Sequence, residues 1–416
     1  MISIDKKISV LSLLSAIFKI FGGPITLIFI AQYLSSEELA IYYAFFSILA
    51  LKSLLEAGVG NVLRRYYAYS NNDTEISAYF KFSIYWYSLI SIIFFISTFF
   101  GGIWYFSSYK GDIEWEIPWM LTVSIISIRI FLLIFDSYLD GNQKQIDYRV
   151  ATLISLIINT VTLLLSLYSN LGLLSIFISQ LFSTISYIIY LILRRKSLFT
   201  TKWDFSVFGF FIILKKLWPL LSKTFIVWFV GYFFWNGFNL ISFKVLDIET
   251  AGLIGFSLAL AKAGYDVAFS IFINQSTLIS YYISQKQGEL AVSLFKKYSI
   301  ISMVMLLLGF SLFLLFKIYG FNLSVFTKTV NSYQLFWIFC FYILVLIKSL
   351  IHNFVRCFNI EPFVIHVCYN AIIIPTSFYF SIKFGTPWFL APFCLLIPML
   401  VNSIYILNKK LVLLHE

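Results

Sequence analysis

Charge clusters and turn residues cut the sequence into twelve apolar runs of roughly 20 residues, the length an α-helix needs to cross the hydrocarbon core of a bilayer. In hydrocarbon every backbone N–H and C=O must find a partner inside the protein, so a crossing segment is either a helix or a strand of a closed barrel. Barrel strands would read as segments of about ten residues with alternating polarity, and these runs do not alternate. An outer-membrane barrel is excluded. With 60% hydrophobic and 12% charged residues, nothing outside the runs is long enough to build a separate soluble core.

The expected spans are 8–34, 40–63, 82–106, 118–139, 150–168 and 171–193, then 218–243, 250–272, 298–319, 335–354, 363–384 and 388–407. Six and six flank the longest basic linker, which predicts an all-α integral membrane fold with an N-terminal lobe at 1–193, a linker at 194–216 and a C-terminal lobe at 217–416. Lys6 and Lys7 precede the first run as in a signal peptide, but the run continues past Gly22-Gly23-Pro24 without a small-residue cleavage site. It is expected to stay as the first helix.

A formal charge of +11 invites a nucleic-acid partner, but the 30 Lys and Arg lie mostly in short loops rather than on one contiguous basic face. Nucleic acid is therefore not an expected partner. Assigned to alternate sides, nineteen bases fall on one face of the membrane and five on the other, so both termini are expected to face the cytoplasm. Six bases remain inside spans: Lys19, Lys52, Arg129, Lys223, Lys262 and Lys348. A charge at the bilayer centre costs roughly 2.5–3.5 kcal/mol even on a lenient insertion scale, so it marks a cavity or a partner.

These six fall on spans 1, 2, 4, 7, 8 and 10, and the second three are the counterparts of the first three if the second half repeats the first. The local match is closest between ELAIYYAFFSILALKSLLE, where Lys52 is followed four residues later by Glu56, and ETAGLIGFSLALAKAGYD, where Lys262 is followed by Asp266. Both spans run in the same direction. The repeat is therefore expected to be parallel, with a pseudo-twofold axis along the membrane normal and a central cavity between the lobes.

The segment SSEELAIYYAFFSILALKSLLEAGVGNVLRRYYA, with Leu55, Gly58 and Gly60 as Leu-x-x-Gly-x-Gly and Arg64 or Arg65 after it, resembles the second-helix signature of polysaccharide exporters in the multidrug/oligosaccharidyl-lipid/polysaccharide superfamily. Wzx-type O-antigen flippases are the most similar family within it. YLDGNQKQIDYRVA and the region of spans 7 and 8 fit the same pattern. The resemblance implies a cavity lined by spans 1, 2, 4, 7, 8 and 10, and a transporter rather than an enzyme. Its implied cargo is an undecaprenyl-pyrophosphate-linked oligosaccharide, moved across the bacterial inner membrane, with membrane lipids, a polysaccharide polymerase and a chain-length regulator as partners.

An anionic headgroup needs a wet, cationic path, and Lys52, Arg129, Lys262, Lys348 and Lys19 are the candidate ligands. Trp228, Tyr232, Trp235, Asn236 and Asn239 along span 7 are candidate sugar contacts. Glu56, Asp136, Asp266 and His352 are candidate counter-ions or carriers of a coupling H⁺ or Na⁺, no other cofactor being expected. The two i, i+4 pairs, Lys52 with Glu56 and Lys262 with Asp266, have a plainer reading as ion pairs that neutralise each other inside the bundle. Neither the scattered His nor Cys340, Cys357, Cys368 and Cys394 have metal-site spacing. A drug or cation antiporter would favour acids over bases, and a membrane polysaccharide polymerase would need an acid or His in its longest outward loop, 320–334, which has neither.

Overall fold

The computed structural model describes residues 4–412 apart from 57, 71, 143, 197, 199–208, 321–322, 359 and 361. Among the described residues the fold is all-α, and ten helices are long and apolar enough to cross a membrane. The N-terminal helix and the helix following the linker, 30 and 36 residues long, are the other two of comparable length. The chain is a multi-pass membrane protein.

It divides into two compact units, Met1–Tyr232 and Phe233–Glu416. The first contains α1 (Ile4–Tyr33), α2 (Ser36–Leu49), α3 (Leu51–Glu56), α4 (Val59–Tyr69), α5 (Asp73–Phe106), α6 (Glu116–Phe131), α7 (Leu133–Gly141), α8 (Gln145–Tyr168) and α9 (Leu174–Arg194). The boundary falls within α10 (Phe210–Val245). The second unit continues with α11 (Ile248–Ile273), α12 (Ser276–Ser284), α13 (Gly288–Ile318), α14 (Ser324–Thr327), α15 (Ser332–Arg356), α16 (Val364–Lys383) and α17 (Leu390–Val412).

Local chemistry explains where these helices begin. Ser35 accepts from the Glu38 amide while Glu38 accepts from the Ser35 amide, a capping box that opens α2. Asp247 and Asn331 cap α11 and α15 by accepting from the amides of Thr250 and Gln334. Within 194–216, residues 199–208 lie outside the described residues, and Phe210 already begins α10. That helix start is tied to the first unit: Lys216 donates from Nζ to the Tyr79 hydroxyl at 2.6 Å, and its carbonyl accepts from Tyr66 at 3.0 Å.

Two expected spans are jointed rather than straight. Span 4 breaks at Leu132 into α6 and α7, and span 2 breaks into α2, α3 and α4. Gly58, ahead of α4, has φ +74°, a left-handed conformation that strains any residue with a Cβ. Two residues on, a Cβ at Gly60 would lie 2.7 Å from Glu56 Oε1, 3.0 Å from the Tyr87 hydroxyl and 3.2 Å from Ser137 Oγ. The Leu-x-x-Gly-x-Gly signature is thus a bend followed by a close approach.

Lipid is as apolar as a leucine side chain, so burial alone does not drive membrane helices together, and close packing must contribute. In the first unit Trp119 meets Phe45 and Phe106 at ring separations of 4.7 and 5.5 Å. In the second, Phe238 packs against Phe341, Phe378 and Phe389 at 5.0–5.7 Å. Trp104, Phe211 and Ile365 stay exposed, as suits side chains that face lipid.

Candidate functional site

In the first unit the costly charges gather where span 4 breaks. Arg129 near the end of α6 and Asp136 on α7 are seven residues apart, and Arg129 Nη2 lies 3.1 Å from Asp136 Oδ2. The other carboxylate oxygen accepts from the Tyr187 hydroxyl at 2.5 Å, and the Arg129 guanidinium lies 4.2 Å from the Tyr187 ring centre. Asp136, 5% exposed, thereby has both oxygens engaged in a closed triangle. Arg129 Nη1 is buried without a hydrogen-bond partner among the described residues.

Glu56 joins the edge of this cluster. The Gly60 backbone N–H is directed at its carboxylate, and Arg64, Asp136 and Lys52 are its charged neighbours. Tyr87 and Ser137 are linked at 3.3 Å beside it. Arg64 reaches Asp140 at 3.3 Å and the Tyr148 hydroxyl at 3.3 Å, extending the network toward the expected inner face. Lys52, one turn before Glu56 on α3, is exposed and forms no hydrogen bond or ion pair with a described residue. It stands within electrostatic reach of Arg129 and Glu56. The side chains of Lys19 and Lys223 lie outside the described residues.

The second unit distributes its charges differently. Lys262 Nζ and Asp266 Oδ2 form a 2.5 Å ion pair along α11, with side chains 45% and 52% exposed, and the ammonium lies 5.3 Å from the Trp235 ring centre. Trp235 also meets Tyr265, whose hydroxyl donates to Ser349 at 2.9 Å. Lys348 on α15 is 6% exposed. The Phe234 ring lies 5.1 Å from Nζ, and His352 and His366 are within electrostatic reach, but Lys348 forms no hydrogen bond or ion pair with a described residue.

One turn along α15, His352 stacks on Phe363 at 3.7 Å and bonds through Nε2 to Ser403 Oγ at 2.9 Å. Ser403 also meets His366 Nδ1 at 3.2 Å, and His366 Nε2 meets Asn402 at 3.3 Å, so α15, α16 and α17 are tied by one polar chain. Among the described residues no three His, Cys, Asp or Glu side chains converge as metal ligands.

Of the span 7 candidates, Trp228 and Trp235 are exposed, and Asn236 and Asn239 are half-buried. Tyr232 is buried and donates to the Ser47 carbonyl at 2.9 Å, so it works as a tie between α10 and α2. Tyr187, Tyr87, Ser137 and Ser403 belong to these networks without having been singled out from the sequence, and Arg64 had entered only as the base that follows the Leu-x-x-Gly-x-Gly signature. In a chain with 27 Tyr, a neutral hydroxyl inside an apolar run is no signal by itself.

No family model matches the sequence, and no curated protein matches it. Solved structures do. An inward-facing multidrug resistance MATE family transporter of the MOP superfamily superposes with a TM-score of 0.73 at 11% identity, over 96% of this chain and 95% of that one. The lipid II flippase MurJ in an inward closed conformation gives 0.68 at 16% identity, over 96% and 87%. A MOP superfamily transporter from Pyrococcus furiosus, described as having a binding pocket of reverse polarity that suggests a different function, gives 0.62 at 11% identity, over 99% and 96%. The chain therefore has the two-lobed fold of the MATE and MOP transporters.

Proposed function

We propose that this protein is a flippase that carries an undecaprenyl-pyrophosphate-linked oligosaccharide, the repeat unit of O-antigen or a similar surface polysaccharide, from the cytoplasmic to the periplasmic leaflet of a bacterial inner membrane by alternating access. The observation that carries this reading is Lys348, a cation at membrane depth without an acid partner among the described residues. Such a group is expensive unless a ligand completes it. Lys52 likewise has no ion-pair partner among the described residues, which suits a path for a dianionic headgroup. Arg129, held by Asp136 and Tyr187, has one unengaged nitrogen to offer a phosphoryl oxygen. Exposed Trp235 beside Lys262 offers an aromatic face to a sugar ring.

The fold shared with a lipid II flippase supports a lipid-linked cargo. Both termini in the cytoplasm, lobes at 1–193 and 217–416 joined by the basic segment 194–216, coupling to H⁺ or Na⁺, and work beside a polymerase and chain-length regulator belong to the same proposal. A drug or cation antiporter is the second reading. Asp266 favours it, as a half-exposed carboxylate within a span that could exchange Lys262 for a cationic ligand.

The test is to change Lys52, Arg129, Lys262 and Lys348 singly to Gln in a cell whose surface polysaccharide depends on this protein, measuring membrane abundance alongside polysaccharide display. Loss of display at normal abundance, with the lipid-linked unit accumulating on the cytoplasmic leaflet, is the expected result. Display that survives all four changes, or falls only with protein abundance, defeats the proposal. Drug efflux lost under Asp266→Asn with display intact selects the antiporter.

A further inference from the structure

At the expected inner end of the first unit, α4 and α8 bring Arg64, Tyr148 and Arg149 together. Arg64 Nη2 donates to the Tyr148 hydroxyl at 3.3 Å, and the Arg64 guanidinium lies 5.2 Å from the centre of that ring. The Arg149 guanidinium lies 5.5 Å from the same ring centre. Two like charges thus share one phenol, and an anion lying beside both would relieve their repulsion.

The nearby acids are committed elsewhere. Asp140 lies 3.3 Å from Arg64 Nε. Asp147 accepts from the Tyr190 hydroxyl at 3.1 Å and from Arg195 Nε at 2.8 Å. Arg149 is half-buried with its Nε enclosed, yet it forms no hydrogen bond or ion pair with a described residue. The Tyr148 hydroxyl accepts from Arg64, and its own hydrogen goes to no described residue. A base that only marks the inner side of the membrane needs water rather than enclosure, and exposed Arg65 on α4 shows that simpler use.

We infer that Arg64, Tyr148 and Arg149 form a docking site for a phosphoryl group, which receives the cargo headgroup before it reaches the charges within the spans of this unit. The inference rests on the flippase reading, which supplies the pyrophosphate. Arg149 offers a planar pair of N–H donors matched to two phosphoryl oxygens, Tyr148 offers its O–H, and Arg64, held by Asp140 and Tyr148, adds charge. No bond to phosphorus forms or breaks. Continuity with the deeper charges favours the cargo over a phospholipid headgroup as occupant: Tyr148 is within electrostatic reach of Arg129, and Arg64 of Glu56 and Asp136.

The test uses the purified full chain in phosphatidylcholine nanodiscs, with farnesyl pyrophosphate as the probe and farnesol as its uncharged control. Calorimetry is expected to show pyrophosphate binding that weakens about tenfold in Arg149→Gln and about threefold in Tyr148→Phe, with Arg149→Lys between Arg149→Gln and wild type. Farnesol should bind all four forms alike. Because the Arg149 side chain has no described partner to lose, Arg149→Gln should melt with the wild type, and Tyr148→Phe, which keeps the ring, gives an independent reading. Polysaccharide display should fall in Arg149→Gln at normal abundance. Wild-type affinity in both Arg149→Gln and Tyr148→Phe, or no binding of the probe by any form, overturns the inference. Discs containing phosphatidylglycerol separate the two sources: if that lipid displaces the probe from the wild type, a phospholipid holds the site and the inference is again overturned. If Arg149→Gln and Tyr148→Phe bind and display normally while Lys348→Gln loses display, the docking site falls and the flippase reading survives. If display also survives all four in-span changes, both fall.

Discussion

Lys262 and Asp266 sit one helical turn apart on α11 and form a 2.5 Å ion pair whose two side chains are about half exposed. An exposed pair of this kind is worth roughly 0–1 kcal/mol. Asp266→Asn is therefore expected to leave the melting temperature of the purified protein almost unchanged. Asp136→Asn should behave differently, because it weakens the acceptor of the buried Arg129 and Tyr187 contacts, and breaking a buried pair costs about 3–5 kcal/mol. Thermal unfolding in detergent checks the contrast, and equal melting of the two variants would remove the structural role given to Asp136.

Gly58 and Gly60 should fail for different reasons. Gly58→Ala forces a Cβ into a left-handed residue and is expected to destabilise by about 1–2 kcal/mol. Gly60→Ala pushes against Glu56, Tyr87 and Ser137, with an expected loss of about 1–3 kcal/mol. Combining Gly60→Ala with Glu56→Ala should restore part of the loss, since the contact at 2.7 Å is with the Glu56 carboxylate. Melting of the three variants measures the recovery.

Alkaline pH should loosen the loop after α5 selectively. Tyr109, beyond the end of α5, donates to Glu37 at 2.5 Å and accepts from the Ile113 amide at 3.0 Å. Burial, then the bond to Glu37, pushes its phenol from an ordinary 10.0 up to about 12. The folded value is the higher one, so the contribution is fully present below pH about 10 and is lost as pH rises through about 12. Hydrogen exchange at the Ile113 amide should accelerate across that window beyond the normal base-catalysed rate. Tyr109→Phe should show the faster exchange already at neutral pH.

Reporter fusions test the orientation. Fusions within 194–216 and after His415 are expected to be cytoplasmic, and one near Asp112 periplasmic. A periplasmic C-terminus would leave an odd number of crossings and require a different assignment of spans.

The long helices were legible because a 20-residue apolar run has no alternative in a bilayer, and the Arg129–Asp136 contact was legible because seven residues return to the same helix face. The two i, i+4 pairs read alike in sequence, yet only Lys262 and Asp266 form one. What separates them is the left-handed turn at Gly58, which brings the Gly60 amide to the Glu56 carboxylate. A backbone dihedral has no hydropathy signature, although the glycines themselves mark the position. Tyr187 was invisible for another reason: its contact with Asp136 spans 51 residues and depends on how α7 and α9 are placed.

That Lys348 has no acid partner among the described residues has a consequence for how this sequence can drift. Leu344 lies one turn before Lys348 on α15, at a spacing where an acid and a lysine meet on one helix face. A single change there to Glu would give the amine a permanent internal counter-ion, leaving the chain foldable and insertable while removing the vacancy that a charged cargo has to fill. Selection for stability alone would not oppose such a substitution. On this account the helix position one turn from Lys348 carries a prohibition on one residue type, and a saturation screen should find acids at Leu344 depleted under selection for transport but tolerated under selection for abundance.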